Sequence, residues 1–126
     1  MSKQVSAELS VLEYLYRDGG NFKTHGALVL RGYQAEAESV ILGCLDWGRQ
    51  FVAEQVGIPS LCAAHWIAVG EGPSELDHAY HEVLRLRRAS AQERDLIPCG
   101  TLAALLARMQ AAAGRWDVRL SPNCDV

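Results

Sequence analysis

The stretch ELSVLEYLYRDGGNFKTHGALVLR, residues 8–31, decides the fold. From 8 to 17, Leu9, Val11 and Leu15 alternate with Leu12, Tyr14 and Tyr16, and this apolar, aromatic-rich pattern suits a strand with something apolar on both faces. Asp18, Gly19, Gly20 and Asn21 then supply residues that tolerate the positive φ of a tight turn. Residues 25–31 return as a second strand that ends at Gly32, which predicts an antiparallel hairpin with the polar loop at its tip. A bend needs only Asp-Gly or Asn-Gly, yet this one also carries Arg17, Lys23 and His25. The surplus of polar chemistry calls for an explanation.

Working outward, residues 33–47 place Ala37, Val40, Ile41, Cys44 and Leu45 on one helical stripe, the pattern of a helix lying on a sheet. Residues 49–53 read as a short strand, closed by Gly57 and Pro59. Residues 60–69, SLCAAHWIAV, are apolar with a β-favouring end and are read as a strand, followed by a turn at 71–75. Residues 78–89 alternate well enough for a strand, although Leu84, Leu86 and the arginines would also suit a helix. Thr101 is placed to cap a helix over 101–113, with Leu102, Leu105, Leu106, Met109 and Ala112 as its stripe and Gly114 as its stop. Residues 115–120 are read as a last strand.

The predicted order is β, β, α, β, β, β, α, β. It favours one α+β domain over 1–126, with a mainly antiparallel sheet and two helices. If the second face of the sheet is as apolar as the first strand suggests, a single chain has nothing left to cover it, and an oligomer is expected.

At 126 residues the chain has room for one core, and 49% apolar with 21% charged residues suits a globular protein. A net charge of -3 argues against bulk nucleic-acid binding, which needs a basic surface. The first residues, Met1 to Ser6, lack a secretory core and no apolar run approaches the length of a membrane span, so a cytoplasmic protein without a membrane partner is expected. Cys44, Cys62, Cys99 and Cys124 are scattered without a C-x-x-C pair and read as reduced thiols.

The stretch DHAYHE holds His78, His81 and Glu82. On a strand, residues three apart point to opposite sides and cannot share one ion, and the glutamate follows the second histidine rather than the first, so no metal and no cofactor is assigned. No G-x-S-x-G, P-loop or dinucleotide fingerprint is present, and the paired carboxylates Glu36/Glu38 and Asp77/Glu82 read as solvated faces, so no catalytic residue is named. Cations are more suggestive. Arg17, Lys23 and His25 flank the turn, Arg85, Arg87 and Arg88 share one strand, and Arg108 and Arg115 bracket the end of the last helix; such groups can clamp phosphate. Trp47, Trp66, Trp116, Phe22, Tyr16 and Tyr80 could stack on a base. The plainer reading of the same residues is core or interface for Trp47 and Trp66, a solvated strand face for RLRR, and an internal ion pair for Arg17 with Asp18.

Three stretches together, YLYRDGGNFKTHGALVL, LDWGRQFVAEQVGIPSL and LDHAYHEV, resemble the first family of Thoeris anti-defence proteins, small phage proteins that soak up cyclic ADP-ribose signals made by TIR-domain enzymes. The resemblance spans about residues 14–83, with a C-terminal helix as a further counterpart. It implies an antiparallel sheet decorated by helices, homodimers that assemble further into a hexamer as a trimer of dimers, and a ligand held intact between subunits without catalysis. Tyr16, Arg17, Asp18, Asn21, Phe22 and Lys23 match its first motif, and Asp77, His78, Tyr80, His81 and Glu82 its third. With Arg108 and Arg115, the ligand-binding candidates are Tyr16, Arg17, Asp18, Asn21, Phe22, Lys23, His78, Tyr80 and His81. The chain departs from the pattern at Trp47-Gly48 and in the arginine-rich RLRRASAQER. The expected function is sequestration of a cyclic ADP-ribose isomer or related cyclic nucleotide. The alternatives are a phosphoester hydrolase using His78 and His81, or an interaction protein without a small ligand.

Overall fold

A computed structural model of the chain describes residues 8–47, 49–70, 72–74 and 76–121. The leader reading at 1–6, Gly48, Cys124, and the Glu71 and Glu75 positions of the expected turn lie outside them. The hairpin forms as its sequence demands: β1 (Leu9–Arg17) and β2 (Lys23–Arg31) pair antiparallel from Leu9 opposite Arg31 to Arg17 opposite Lys23. On the other side of β1 lies β4 (Tyr80–Arg88), and beyond it the short β3 (Gln50–Val52), so the order is β2-β1-β4-β3 with every neighbour antiparallel. Opposite the Glu13–Tyr14 step, Leu84 is left out of the ladder as a bulge, which adds local twist.

Among the described residues three helices pack on this sheet, where the sequence predicts two. Helix α1 (Ala37–Cys44) buries Ala37, Ile41 and Cys44 at i, i+4 and i+7, and α3 (Leu102–Ala112) buries Leu102, Leu105, Leu106, Met109 and Ala112. They meet Leu12, Tyr14, Leu28, Leu30, Val83 and Leu86 of the sheet in one core. Burying a side chain such as Leu102, Leu105 or Met109 contributes about 1.5–3 kcal/mol. Thr101 caps α3 as predicted, its hydroxyl accepting from the Ala104 N–H at 3.1 Å.

Two of the expected strands are corrected. Residues 60–69 contain helix α2 (Cys62–Val69), which buries Cys62 and His65 and leaves Ile67 83% exposed. The apolar residues that suggest a buried strand are partly on its solvent side, and the alanines at 63, 64 and 68 favour a helix. Helix α2 can approach the hairpin because position 26 is glycine: a Cβ there would lie 2.8 Å from Leu61 Cδ2. Tyr14, across the strand pair from Gly26, donates its hydroxyl to the Pro59 carbonyl at 2.7 Å. The other correction is at 115–120, which holds a 3₁₀ turn, Val118–Leu120, in place of a strand. The Gln55 side chain satisfies this segment's backbone, donating to the Arg115 carbonyl at 3.0 Å and accepting from the Asp117 N–H at 2.8 Å. One amide thus does what a strand edge would have done.

Among the described residues, no helix lies on the second face of the sheet. Val11 and Leu15 are nevertheless only 1% and 2% exposed within the single chain. They stand opposite Arg87 and Glu82 of β4, which pair with Glu13 and Glu93 and with Arg17 respectively; the stems of such long side chains can cover apolar neighbours. The argument for a covering partner from the apolarity of the first strand therefore has an answer inside the chain.

Candidate ligand-binding site

The loop at 18–22 is a built structure. Asp18 Oδ1 accepts the N–H groups of Gly20 at 2.8 Å and Phe22 at 3.1 Å, and the Asp18 N–H reaches the Phe22 carbonyl at 3.0 Å. Asn21 takes the left-handed conformation, φ 70°, that asparagine tolerates. Asp18 Oδ2 meets His65 Nε2 of α2 at 2.8 Å, and His65 Nδ1 meets the Thr24 hydroxyl at 2.9 Å. The His65 hydrogen bond, with the Phe22 and Gly20 N–H groups, outweighs burial and holds the Asp18 carboxyl below its usual range.

A second carboxylate faces the same space. Asp77 Oδ1 accepts the Tyr16 hydroxyl at 2.6 Å and Oδ2 the Ser74 N–H at 2.7 Å, while the Tyr16 oxygen accepts the His78 N–H at 3.1 Å. Burial opposes ionisation of Asp77, yet the bonds from Tyr16 and Ser74 and the nearby Trp66 indole bring its pKa down overall. That indole N–H is buried and closes no hydrogen bond; it helps the carboxylate at longer range. The Tyr16 phenol is pushed well above its ordinary value, first by burial and then by Asp77.

The histidines are locked in defined tautomers. His78 Nδ1 accepts the Tyr80 N–H at 3.1 Å, so Nε2 carries the proton and donates to the Arg17 carbonyl at 2.7 Å. His81 Nε2 accepts the Leu61 N–H at 3.0 Å, so Nδ1 donates to the Ala79 carbonyl at 3.2 Å. Full burial pushes the His81 pKa down to about 4, which keeps it neutral.

The predicted residues thus separate. Tyr16, Arg17, Asp18, Asn21, Phe22, His78 and His81 gather at the hairpin end. Arg17 is held by Glu82 at 2.9 Å and by Asn21 Oδ1, so the internal pair it makes is with Glu82, whereas Asp18 pairs with His65. Phe22 is 63% exposed, and Lys23 is exposed with no side-chain bond to another described residue. Tyr80 points to the second face, where its ring meets the largely exposed Trp47 edge-on at 5.1 Å. Arg108 and Arg115 lie elsewhere: Arg108 Nε donates to the Val56 carbonyl at 2.7 Å, and Arg115 is exposed just beyond α3. Sequence reasoning misses His65, Thr24 and Ser74, because their roles depend on contacts between segments far apart in the chain.

Two depressions differ in sign. A cleft of about 410 Å³ at the hairpin end is lined by Asp18, Phe22, His65, Trp66, Ala68, Val69, Ser74, Leu76 and Asp77, with no lysine or arginine among them. At the opposite end of the strands a groove of about 370 Å³ carries Arg88 and Arg94 beside Glu8 and Ser90. There the Arg88 guanidinium lies 4.4 Å from the centre of the Tyr33 ring and 3.3 Å from Glu8.

Thr24, His65 and Asp18 have the connectivity of a nucleophile, base and orienting carboxylate. Asp18 and His65 line the cleft, and Thr24 is not among its lining residues. Among the described residues no group of three His, Cys, Asp or Glu side chains is placed to hold a metal ion, and no helix is long and apolar enough to cross a membrane. Cys44 and Cys62 are buried and Cys99 is exposed.

Compared with protein-family models, with curated proteins and with solved structures, the chain finds no match.

Proposed function

We propose that the chain is a binding protein that captures a cyclic ADP-ribose isomer, or a related cyclic nucleotide, without cleaving it, and thereby blocks TIR-based (Thoeris) antiphage defence in the bacterial cytoplasm. The observation that carries this reading is the convergence of the three motif stretches on one framework. Tyr16 of the first bonds Asp77 of the third, Arg17 pairs with Glu82, and the Leu61 N–H of the middle one bonds His81. The stretches that suggest the family are thus one spatial unit, and a captor needs such a rigid frame to avoid ordering costs on binding.

The hydrolase alternative draws less support. Both ring nitrogens of His78 and of His81 are engaged by protein groups, so neither can exchange a proton with a phosphate ester unless the framework breaks. Phosphates suit the cationic parts of the surface better than the carboxylate-lined cleft. Lys23, Arg108, Arg115 and the Arg88–Arg94 groove are spread over the chain, which favours a ligand site where two copies bring such groups together, in a homodimer or a trimer of dimers.

Incubation of the purified protein with cyclic ADP-ribose isomers, filtration and heat denaturation test the reading. The protein should deplete a signal that heating returns intact. A converted product would replace the proposal by catalysis, and no depletion by any cyclic nucleotide would leave an interaction protein. Light scattering should give a dimer or larger assembly; a monomer that still captures the signal would remove the shared-site part alone.

A further inference from the structure

We propose that the cleft at the hairpin tip is a separate binding site for a small organic cation, an ammonium or guanidinium head on an apolar body. The inference does not rest on the capture of a cyclic nucleotide; the chemistry of this cleft points to a guest of the opposite charge. Its polar wall is two carboxylates and an imidazole, and its apolar wall is Phe22, Trp66, Val69 and Leu76.

Asp77 accepts its two hydrogen bonds from neutral groups, a phenol and a backbone amide, with the Trp66 indole and His65 nearby. Asp18 accepts three hydrogen bonds and Asp77 two, fewer than the roughly four that a carboxylate can take, so each keeps room for a donor from a guest. The cleft lining carries no lysine or arginine. An anion entering here would meet two carboxylates, whereas a cation gains from them and from the face of an aromatic ring. The exposed Phe22 ring at the lip is hard to explain as core and fits this use.

The test is a titration of the full-length protein followed by amide and indole NMR signals, with choline and agmatine as probes and 3,3-dimethylbutanol as the uncharged counterpart of choline. Saturable shifts at the Trp66 indole and at the Phe22 and Ser74 amides are expected, weaker when salt rises from about 0.05 M to about 0.5 M. Phe22→Ala, a change at an exposed position, should weaken choline about threefold to tenfold. Asp77→Asn should weaken it further; should that variant fail to fold, the Phe22 variant and the uncharged probe decide the matter. Absence of saturation by about 10 mM for both cations, equal binding of 3,3-dimethylbutanol, or shifts confined to the Glu13 face would overturn the proposal. Saturating choline should leave capture of a cyclic nucleotide unchanged, and competition between the two would overturn the claim of a separate site.

Discussion

At the hairpin tip Tyr16, Asp18, His65, Asp77 and His81 are each no more than 9% exposed, whereas Arg85, paired with Glu13 on the opposite face of the sheet, keeps 59% of its side chain in water. Both regions are dense in hydrogen bonds between charged and polar groups. In the first, each partner is fixed by several others, and a lost bond leaves a largely buried group unpaired. In the second, Glu13 is shared by Arg85 and Arg87 at 2.9 and 2.7 Å, but solvent can take the place of any member. Burial, more than the number of contacts, should therefore decide what each region contributes.

The largest effect is expected at Asp77. Replacing it by alanine strips the Tyr16 hydroxyl and the Ser74 N–H of their acceptor and further isolates the Trp66 indole. A loss of roughly 3 kcal/mol or more in urea unfolding is expected. A loss no larger than that of a surface substitution would break the contrast between the two regions.

His81 offers a sharper probe, because its effect has a pH signature. Below the ordinary histidine value of 6.5 the unfolded chain takes up a proton that the folded chain refuses until about pH 4. Stability should therefore be complete above pH 6.5 and fall across that window as the pH drops, by roughly 3 kcal/mol in all. Asp18 and Asp77, whose pKa values are lowered, add a further loss only at more acid pH, as they become protonated. His81→Gln should flatten the curve between 6.5 and 4 while lowering stability at pH 8 by about 1–2 kcal/mol. An unchanged slope in that variant would show that His81 is not the group that titrates.

The hairpin, β3, β4 and the two stripes of α1 and α3 were legible because each is a local pattern: alternation, a turn with glycines, a spacing of three and four with a cap. Helix α2 was not, since Ile67 and Val69 are apolar residues that stand in solvent, and an apolar run without polar spacing looks like a buried strand. The segment at 115–120 alternates like a strand, and nothing local reveals that Gln55 will bond it. The candidate site was half legible. The tip residues are adjacent in sequence, but the bond from Asp18 to His65 spans 47 positions and Tyr16 to Asp77 spans 61, so only the fold could disclose them. Of the surplus cations of the loop, Arg17 is spent on Glu82 and Asn21, whereas Lys23 and His25 stand exposed.

A smaller effect is expected where the tip meets its closing segment. At Gly72, φ is +136° and a Cβ would fall 2.3 Å from Trp66 Cδ1, so Gly72→Ala must displace the ring and strain the backbone together. A loss of about 2 kcal/mol with a red-shifted Trp66 emission is expected. Retained stability with unchanged emission would mean that the segment yields without disturbing the cleft wall.

The smallest effect is expected at Arg85, and it completes the contrast. Arg85→Ala removes two bonds to Glu13, at 2.9 and 3.3 Å, as many as Asp77→Ala takes from Tyr16 and Ser74. Glu13 keeps Arg87, and Arg87 keeps Glu93 at 2.7 Å, so no charge is stranded. The urea midpoint should stay within error at ordinary salt and should be no more sensitive to added salt than that of the parent protein, because screening already reaches the pair. If instead this variant lost as much as Asp77→Ala, the network on the second face would be acting as a cooperative cover over Val11 and Leu15. The stems of its arginines, rather than their charges, would then be what holds that face closed.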